Sequence, residues 1–372
     1  MKIRERGIFV ASISGLHYGL SPETMRREIL APLLPAAFVL LYPCTDHGRR
    51  KAMKLKSWSD RWRPDSDGHT ERQRAEYNGF GPWTFPVRAP EEMPPRFDPW
   101  YDEIKDSSLI LKIPRDIERR STRAGEDLYE GVLAVGKRGI VYLDATGSET
   151  RKRGVAFGEI AAIRRALELL SGELRFDLAG GEDLSVRFNA VSAPVIDYFV
   201  DLVRSGCADA GSGLRFTPIE GSRGPSEENV LFQNLLRELR QRNPGLALAA
   251  YQPPCALAAR RGEGRRGLAG AAARLLRWHL DGSLLAVLPQ ELLVLVNGTG
   301  APRTRKTRGY RYEAVYIPSA SFRGPVVESR TLANGARVHV LRLSCAGHDY
   351  ELLFELDPSA ALASLSLPRA AG

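Results

Sequence analysis

The sequence predicts a mainly β, α+β protein: two strand-rich units, each closed by a helix, behind an irregular N-terminal segment. Three observations carry this prediction. Short apolar runs bounded by Gly, Pro, Asn and Asp recur from residue 106 to residue 356. Helical character is confined, in that part of the chain, to 194–203, 226–242 and 358–367. Residues 64–99 carry neither pattern, and proline recurs there from Pro64 to Pro99.

The first unit spans 106–206. Residues 108–114 read as a strand ended by Pro114. Residues 128–135, a turn from Gly136 to Gly139, and residues 140–144 read as a β-hairpin. A polar loop holding Arg151, Lys152 and Arg153 follows. Strands are then predicted at 155–163, 174–178 and 184–188, with Gly180 and Gly181 turning between the last two. Pro194 suits a first helical turn, and Val195, Ile196, Phe199, Leu202 and Val203 share one face of the closing helix.

A linker is predicted over 207–271, rich in Gly, Ser and Ala at its start and holding a helix over 226–242. Ser226, Glu227 and Glu228 favour its beginning, Val230, Leu231, Leu235, Leu236 and Leu239 form its apolar stripe, and Asn243, Pro244 and Gly245 stop it. The second unit, 272–368, shows strand patterns at 275–280, 284–287, 292–297, 312–317, 326–332, 337–343 and 350–356, with Asn334 and Gly335 as a hairpin signal. Its basic loop carries Arg303, Arg305, Lys306 and Arg308. Both units run through an early hairpin, a glycine turn, a basic loop, further strands and a final helix. A period this long suggests duplicated domains rather than a solenoid.

Residues 1–99 are expected to be irregular or partly disordered. Ile8 to Leu20 is broken by Ser12, Ser14 and His17, which makes a poor signal peptide. Ile29 to Pro43 is apolar, but it is shorter than the roughly 20 residues of a spanning helix, and Pro32 and Pro35 interrupt it. A basic stretch including Lys54 and Lys56 then interleaves with Trp58 and Trp62, which share a face if helical. Such a stretch can lie on an anionic membrane, or simply be solvated. Met53 and Met93 are alternative starts ahead of the first well-patterned run.

The 372 residues are 43% hydrophobic and 26% charged, a globular composition with material for a core. Lys and Arg exceed Asp and Glu by 53 to 44, giving +9 and favouring an anionic partner. Cys44, Cys207, Cys255 and Cys345 form no Cys-x-x-Cys pair, so neither a zinc site nor a disulfide scaffold is expected. Gly131 to Lys137 falls short of a phosphate loop because Arg138 stands where Ser or Thr is needed. His279, His339 and His348 are isolated among strands. No catalytic constellation, metal or cofactor is expected.

The stretch 129–204 resembles bacterial pleckstrin-homology-like (PH-like) and GRAM-like domains. The resemblance rests on Val132 to Val135 leading into Gly139 to Tyr142, on Val155 to Phe157 leading into Glu159 and Ile160, and on the helix from Pro194 to Val203. Residues 275–367 look like a more divergent copy. The resemblance implies two such domains, each a partly open antiparallel barrel with a C-terminal helix, joined by the helical linker. It implies a non-enzymatic module that contacts an anionic lipid surface or a protein partner. It makes Arg151, Lys152, Arg153, Arg303, Arg305, Lys306 and Arg308 the candidate headgroup ligands, since clustered guanidinium groups can chelate phosphate. Lys54, Lys56, Trp58 and Trp62 are candidate membrane-surface residues. A cytoplasmic location, peripheral at the inner face of the membrane, follows from this reading. Nucleic-acid association, or an enzyme with a dispersed site, is the alternative.

Overall fold

The computed structural model describes residues 69–211, 214–217, 224–225, 229–257, 278–298, 311–332, 335–363, 365 and 369–370. Helix α1 (Glu71–Gly79) starts at Thr70, whose hydroxyl accepts the Gln73 N–H while the Gln73 side chain accepts the Thr70 N–H. A two-residue strand, β1 (Phe85–Pro86), short 3-10 turns at Pro90 and Pro95, and one helical turn, α2 (Tyr101–Ile104), follow. Over 69–99 the stretch expected to be irregular or partly disordered contains the regular helix α1, and beyond it an irregular backbone that is nonetheless packed. Phe80, Val87, Met93 and Phe97 are buried, and Arg72 grips Asp98 and two backbone carbonyls. Apolar anchors spaced between prolines pack without any regular period.

The first sheet is antiparallel in the order β1, β2 (Leu109–Pro114), β3 (Tyr129–Val135), β4 (Gly139–Asp144), β5 (Arg151–Ala156). Leu109, Leu111 and Ile113 enter one core with Leu133 and Ile140, whereas Ile110 enters another with Val132, Phe80 and Phe97. Both faces are covered, so these strands read as nearly continuous apolar runs.

The strand expected over 155–163 proves to be two strands in different sheets. β5 ends at Ala156, Phe157 to Glu159 make a 3-10 turn, and β6 (Ile160–Glu168) opens the second sheet. β7 (Ser171–Leu178) and β8 (Leu184–Asn189) extend it. Helix α3 (Ala193–Ala210) buries Ile196, Phe199, Val200, Val203 and Cys207 at helical spacing. β9 (Leu214–Arg215) is a two-residue strand. Helix α4 (Val230–Arg242) ends where the Asn243 N–H bonds the Leu239 carbonyl.

β10 (Ala247–Gln252) falls within the stretch read as linker, yet it enters the second sheet, and β11 (Cys255–Leu257) pairs with β12 (Trp278–Leu280). β13 (Ser283–Leu288), β14 (Glu291–Asn297) and β15 (Arg311–Pro318) complete seven antiparallel strands in the order β10-β13-β14-β15-β6-β7-β8. The β15–β6 register runs from Arg311 opposite Glu168 to Tyr316 opposite Ile163. Strands from both halves of the chain therefore share one sheet. A third sheet holds β16 (Phe322–Thr331), β17 (Arg337–Cys345) and β18 (His348–Phe354). The helix expected over 358–367 is a single turn, α5 (Ser359–Leu362), and β19 (Arg369–Ala370) pairs with β9. Among the described residues no sheet closes into a barrel.

The seven-stranded sheet is also covered on both faces. Ile163, Leu293 and Leu295 pack with α3, α4 and the first sheet, while Val294, Val315 and Ile317 pack against Leu341, Leu343 and Leu352 of the third sheet. No helix among the described residues is long and apolar enough to cross a membrane.

Candidate functional site

Lys54, Lys56, Trp58 and Trp62 lie outside the described residues, as do Arg303, Arg305, Lys306 and Arg308. Arg151, Lys152 and Arg153 are described, and they correct the reading that put them in a loop. They form the start of β5, the edge strand of the first sheet. Side chains alternate across a strand, so Lys152 leaves on the face opposite Arg151 and Arg153. Its ammonium pairs with Glu103 and lies 5.4 Å from the centre of the Trp100 ring. Arg153 donates to the Asp183 carbonyl at 3.0 Å, and Arg151 is exposed. Pulled to two faces, and two of them already engaged, these cations do not converge on one phosphate.

Two polar clusters that the sequence reading missed are assembled elsewhere. The first lies where α3 and α4 cross the seven-stranded sheet, around a cavity of about 70 Å³. Buried Arg165 on β6 places its Nε 2.5 Å from Asp197 Oδ1 on α3 and donates from Nη1 to the Tyr312 hydroxyl at 2.7 Å. Burial pushes the Asp197 carboxyl above its usual range, against the pull of Arg165 and Arg242. Deeper along α3, Arg204 donates from Nε to both Glu291 carboxylate oxygens at 3.0 and 3.1 Å, and its guanidinium stands 4.4 Å from the Tyr316 ring centre. Burial pushes the Tyr316 hydroxyl up to about 12. Among the described residues no Ser, Thr, Cys, Lys or His lines this cavity. Its arginines are held by carboxylates, so it fastens two helices to a sheet and offers no nucleophile beside a base. The signal in the sequence was Asp197, Asp201 and Arg204, a polar stripe at helical spacing beside the apolar one.

The second cluster joins the second and third sheets. Asp177, 1% exposed at its side chain, accepts from Arg175 Nε at 2.8 Å and from the Tyr350 hydroxyl, with Arg164 at 4.0 Å. Asp183 pairs with Arg175 and accepts the Leu178 N–H at 3.1 Å. Asp177, Asp183 and His348 offer ligand atoms within 4.8 Å of one another. Arg164 and Arg175 already supply the positive charge there, and His348 Nε2 is 2.9 Å from the Leu178 carbonyl, to which it donates. The arrangement is an ion-pair network with its donors engaged. Cys207, Cys255 and Cys345 are free thiols, and burial pushes each up to about 12, so none is a ready thiolate.

A different feature stands at one end of the seven-stranded sheet. The β6–β7 turn, Leu169 and Leu170, carries two of the most exposed large apolar side chains, and Val191 is exposed beside it. The Ala190 N–H bonds the Leu170 carbonyl at 2.9 Å, which holds the two segments together. No family model, no curated protein and no solved structure matches this chain. The fold and these sites define a strand-rich protein of several antiparallel sheets whose buried arginines and carboxylates are paired with one another.

Proposed function

We propose that this chain is a non-enzymatic binding protein made of two PH-like units that dock on an anionic membrane surface. The observation that supports it best is a repeated order of elements. Four antiparallel strands (β2 to β5), three more (β6 to β8) and a helix (α3) occur in the first half. Four strands (β10, β13, β14, β15), three more (β16 to β18) and a helical turn (α5) occur in the second. With the short β11–β12 pair set aside, that order is the one the PH-like reading expects of each half. The net charge of +9 favours anionic lipid over neutral lipid.

The test is flotation of the full chain with neutral and with anionic vesicles, at low and high salt. Binding to anionic vesicles alone, weakened by salt, is the expected result. Equal or absent binding to both would overturn the reading. Salt-steep retention on nucleic acid without vesicle binding would replace it.

A further inference from the structure

We propose that the outer edge of β16 is an interface for a second copy of this chain. The two β16 strands pair antiparallel about a two-fold axis at Ser329, and the third sheets of both copies become one continuous sheet. The pairing holds whether or not the chain docks on a membrane.

The edge itself is open. β16 is an end strand of the third sheet and, at ten residues, the longest described strand. The Leu332 N–H bonds the Ala336 carbonyl of the neighbouring segment at 2.8 Å. The same row continues without a shift through Arg330 opposite Val338, Glu328 opposite Val340 and Val326 opposite Arg342. Backbone groups alternate between the two edges of a strand, so Pro325, Val327, Ser329 and Thr331 turn theirs outward. Pro325, which has no N–H to give β17, stands in that outward row. Among the described residues no strand or loop bonds the row, and residues 328–331 are all exposed. The features that blunt a sheet edge are confined to its start, in Pro325 and the bulge between Phe322 and Gly324. Beyond them the two charges are of opposite sign, whereas the β5 edge carries Arg151, Lys152 and Arg153 in a row.

The strand is complementary to itself, and this commits the occupant to a second copy. Outward residues must face outward residues, which allows only every second register. With Ser329 opposite Ser329 of the second copy, Val327 faces Thr331, and each pair exchanges two hydrogen bonds. On the other face of the sheet, Glu328 then lies opposite Arg330 of the second copy, and the 46% exposed Val326 lies opposite the half-buried Leu332. The two-fold axis repeats every one of these pairs. The neighbouring allowed registers would set Glu328 against Glu328 or Arg330 against Arg330, and like charges directly opposite are unfavourable. Within its own chain Glu328 stands 3.6 Å from Arg342, and Arg330 stands 3.3 Å from Glu351. Both side chains are about half exposed, so these ion pairs orient the charges without covering them. An interface of one strand from each copy is small, and the dimer is a reversible one.

The test is sedimentation velocity of the full chain from about 1 to 200 µM, at low salt so that exposed charges are little screened. The wild type is expected to pass from monomer to dimer as concentration rises. Glu328→Arg and Arg330→Glu each set like charges opposite one another at both charge pairs, and each is expected to dissociate about tenfold more readily or worse. Their melting temperatures at a concentration where all are monomeric should stay close to that of the wild type, since both positions are exposed. Mixed in equal amounts, the two variants are expected to associate with each other about as strongly as the wild type does with itself, because each supplies the charge the other lacks. A wild type that stays monomeric throughout, single variants that dimerise as the wild type does, or a mixture that stays monomeric would each overturn the proposal.

Discussion

The phenolic hydroxyl of Tyr350 on β18 donates to the buried carboxylate of Asp177 on β7. The two residues come from opposite halves of the chain, and their bond ties the third sheet to the seven-stranded one. Burial and this bond to a carboxylate push the Tyr350 hydroxyl far above its usual range, so it stays a donor at any ordinary pH. Tyr350→Phe removes one donor from a carboxylate that is 1% exposed, while Arg175 and Arg164 remain beside it. A loss of about 1–2 kcal/mol is expected, read as a lower urea midpoint with an unchanged slope. An unaltered midpoint would show that the bond contributes nothing.

Arg204 and Glu291 bind α3 to β14 with side chains only 13% and 11% exposed. Arg204 also bonds Asp201 and Asn243 and lies over Tyr316. Arg204→Met leaves the Glu291 charge in a mostly dry site, and a loss of about 3 kcal/mol is expected. The double variant with Glu291→Leu should cost much less than the sum of the two single changes. A double-mutant cycle in urea measures the coupling, and additive losses would mean the pair does not act as a pair.

Two aspartates give stability opposite dependences on pH. Burial raises the Asp197 carboxyl above 3.8, outweighing Arg165 and Arg242. A folded-state value above the unfolded one adds stability at low pH, and that stability fades as pH rises through the raised value. For Asp183 burial is outweighed in the other direction, by the Leu178 N–H and Arg175, and its carboxyl is lowered. Its stabilisation is present above about 3.8 and is lost as the pH falls below it. Asp197→Asn should therefore flatten the stability profile above pH 4, and Asp183→Asn should flatten it below. Urea midpoints from about pH 3 to 7 check both, and slopes equal to wild type in those windows would refute the assignments.

The strands that were legible are those buried on both faces. Residues 292–296 are a run of Leu and Val, residues 109–113 are Leu and Ile broken only by Lys112, and helix α3 declared itself through Ile196, Phe199 and Val203. The β5 strand was not legible. Arg151, Lys152 and Arg153 have no strand pattern of their own, and they are extended because β4 pairs with them. Phe80, Met93 and Phe97 escaped because their anchors lie in 3-10 turns and loops, which have no period to detect. The β6–β7 turn was missed because Leu169 and Leu170 are not turn residues by composition. The clusters around Asp177 and Arg165 could not be assembled from the sequence because their partners are far apart in the chain, Asp177 with Tyr350 and Arg165 with Tyr312; only the polar stripe of Asp197, Asp201 and Arg204 on α3 left a trace.

Helix α3 carries one residue whose substitution separates helix propensity from packing. Gly206 sits near its C-terminal end, where Ala is normally favoured over Gly by about 1 kcal/mol. A Cβ at this position would come within 2.4 Å of the Phe157 ring, which is buried in the turn between β5 and β6. The next residue, Cys207, is bound to the same turn, its thiol 3.6 Å from the Phe157 carbonyl. The helix therefore crosses the corner so close to the buried Phe157 ring that a Cβ here requires the ring to shift. Overpacking of this kind costs about 1–3 kcal/mol, more than the propensity gain. Gly206→Ala is expected to lower the melting temperature, and Gly206→Ala with Phe157→Leu should recover part of the loss relative to Phe157→Leu alone. A Gly206→Ala protein more stable than wild type would mean that α3 or the Phe157 ring moves freely enough to admit the added methyl, and that the close contact at this corner is not a constraint on the fold.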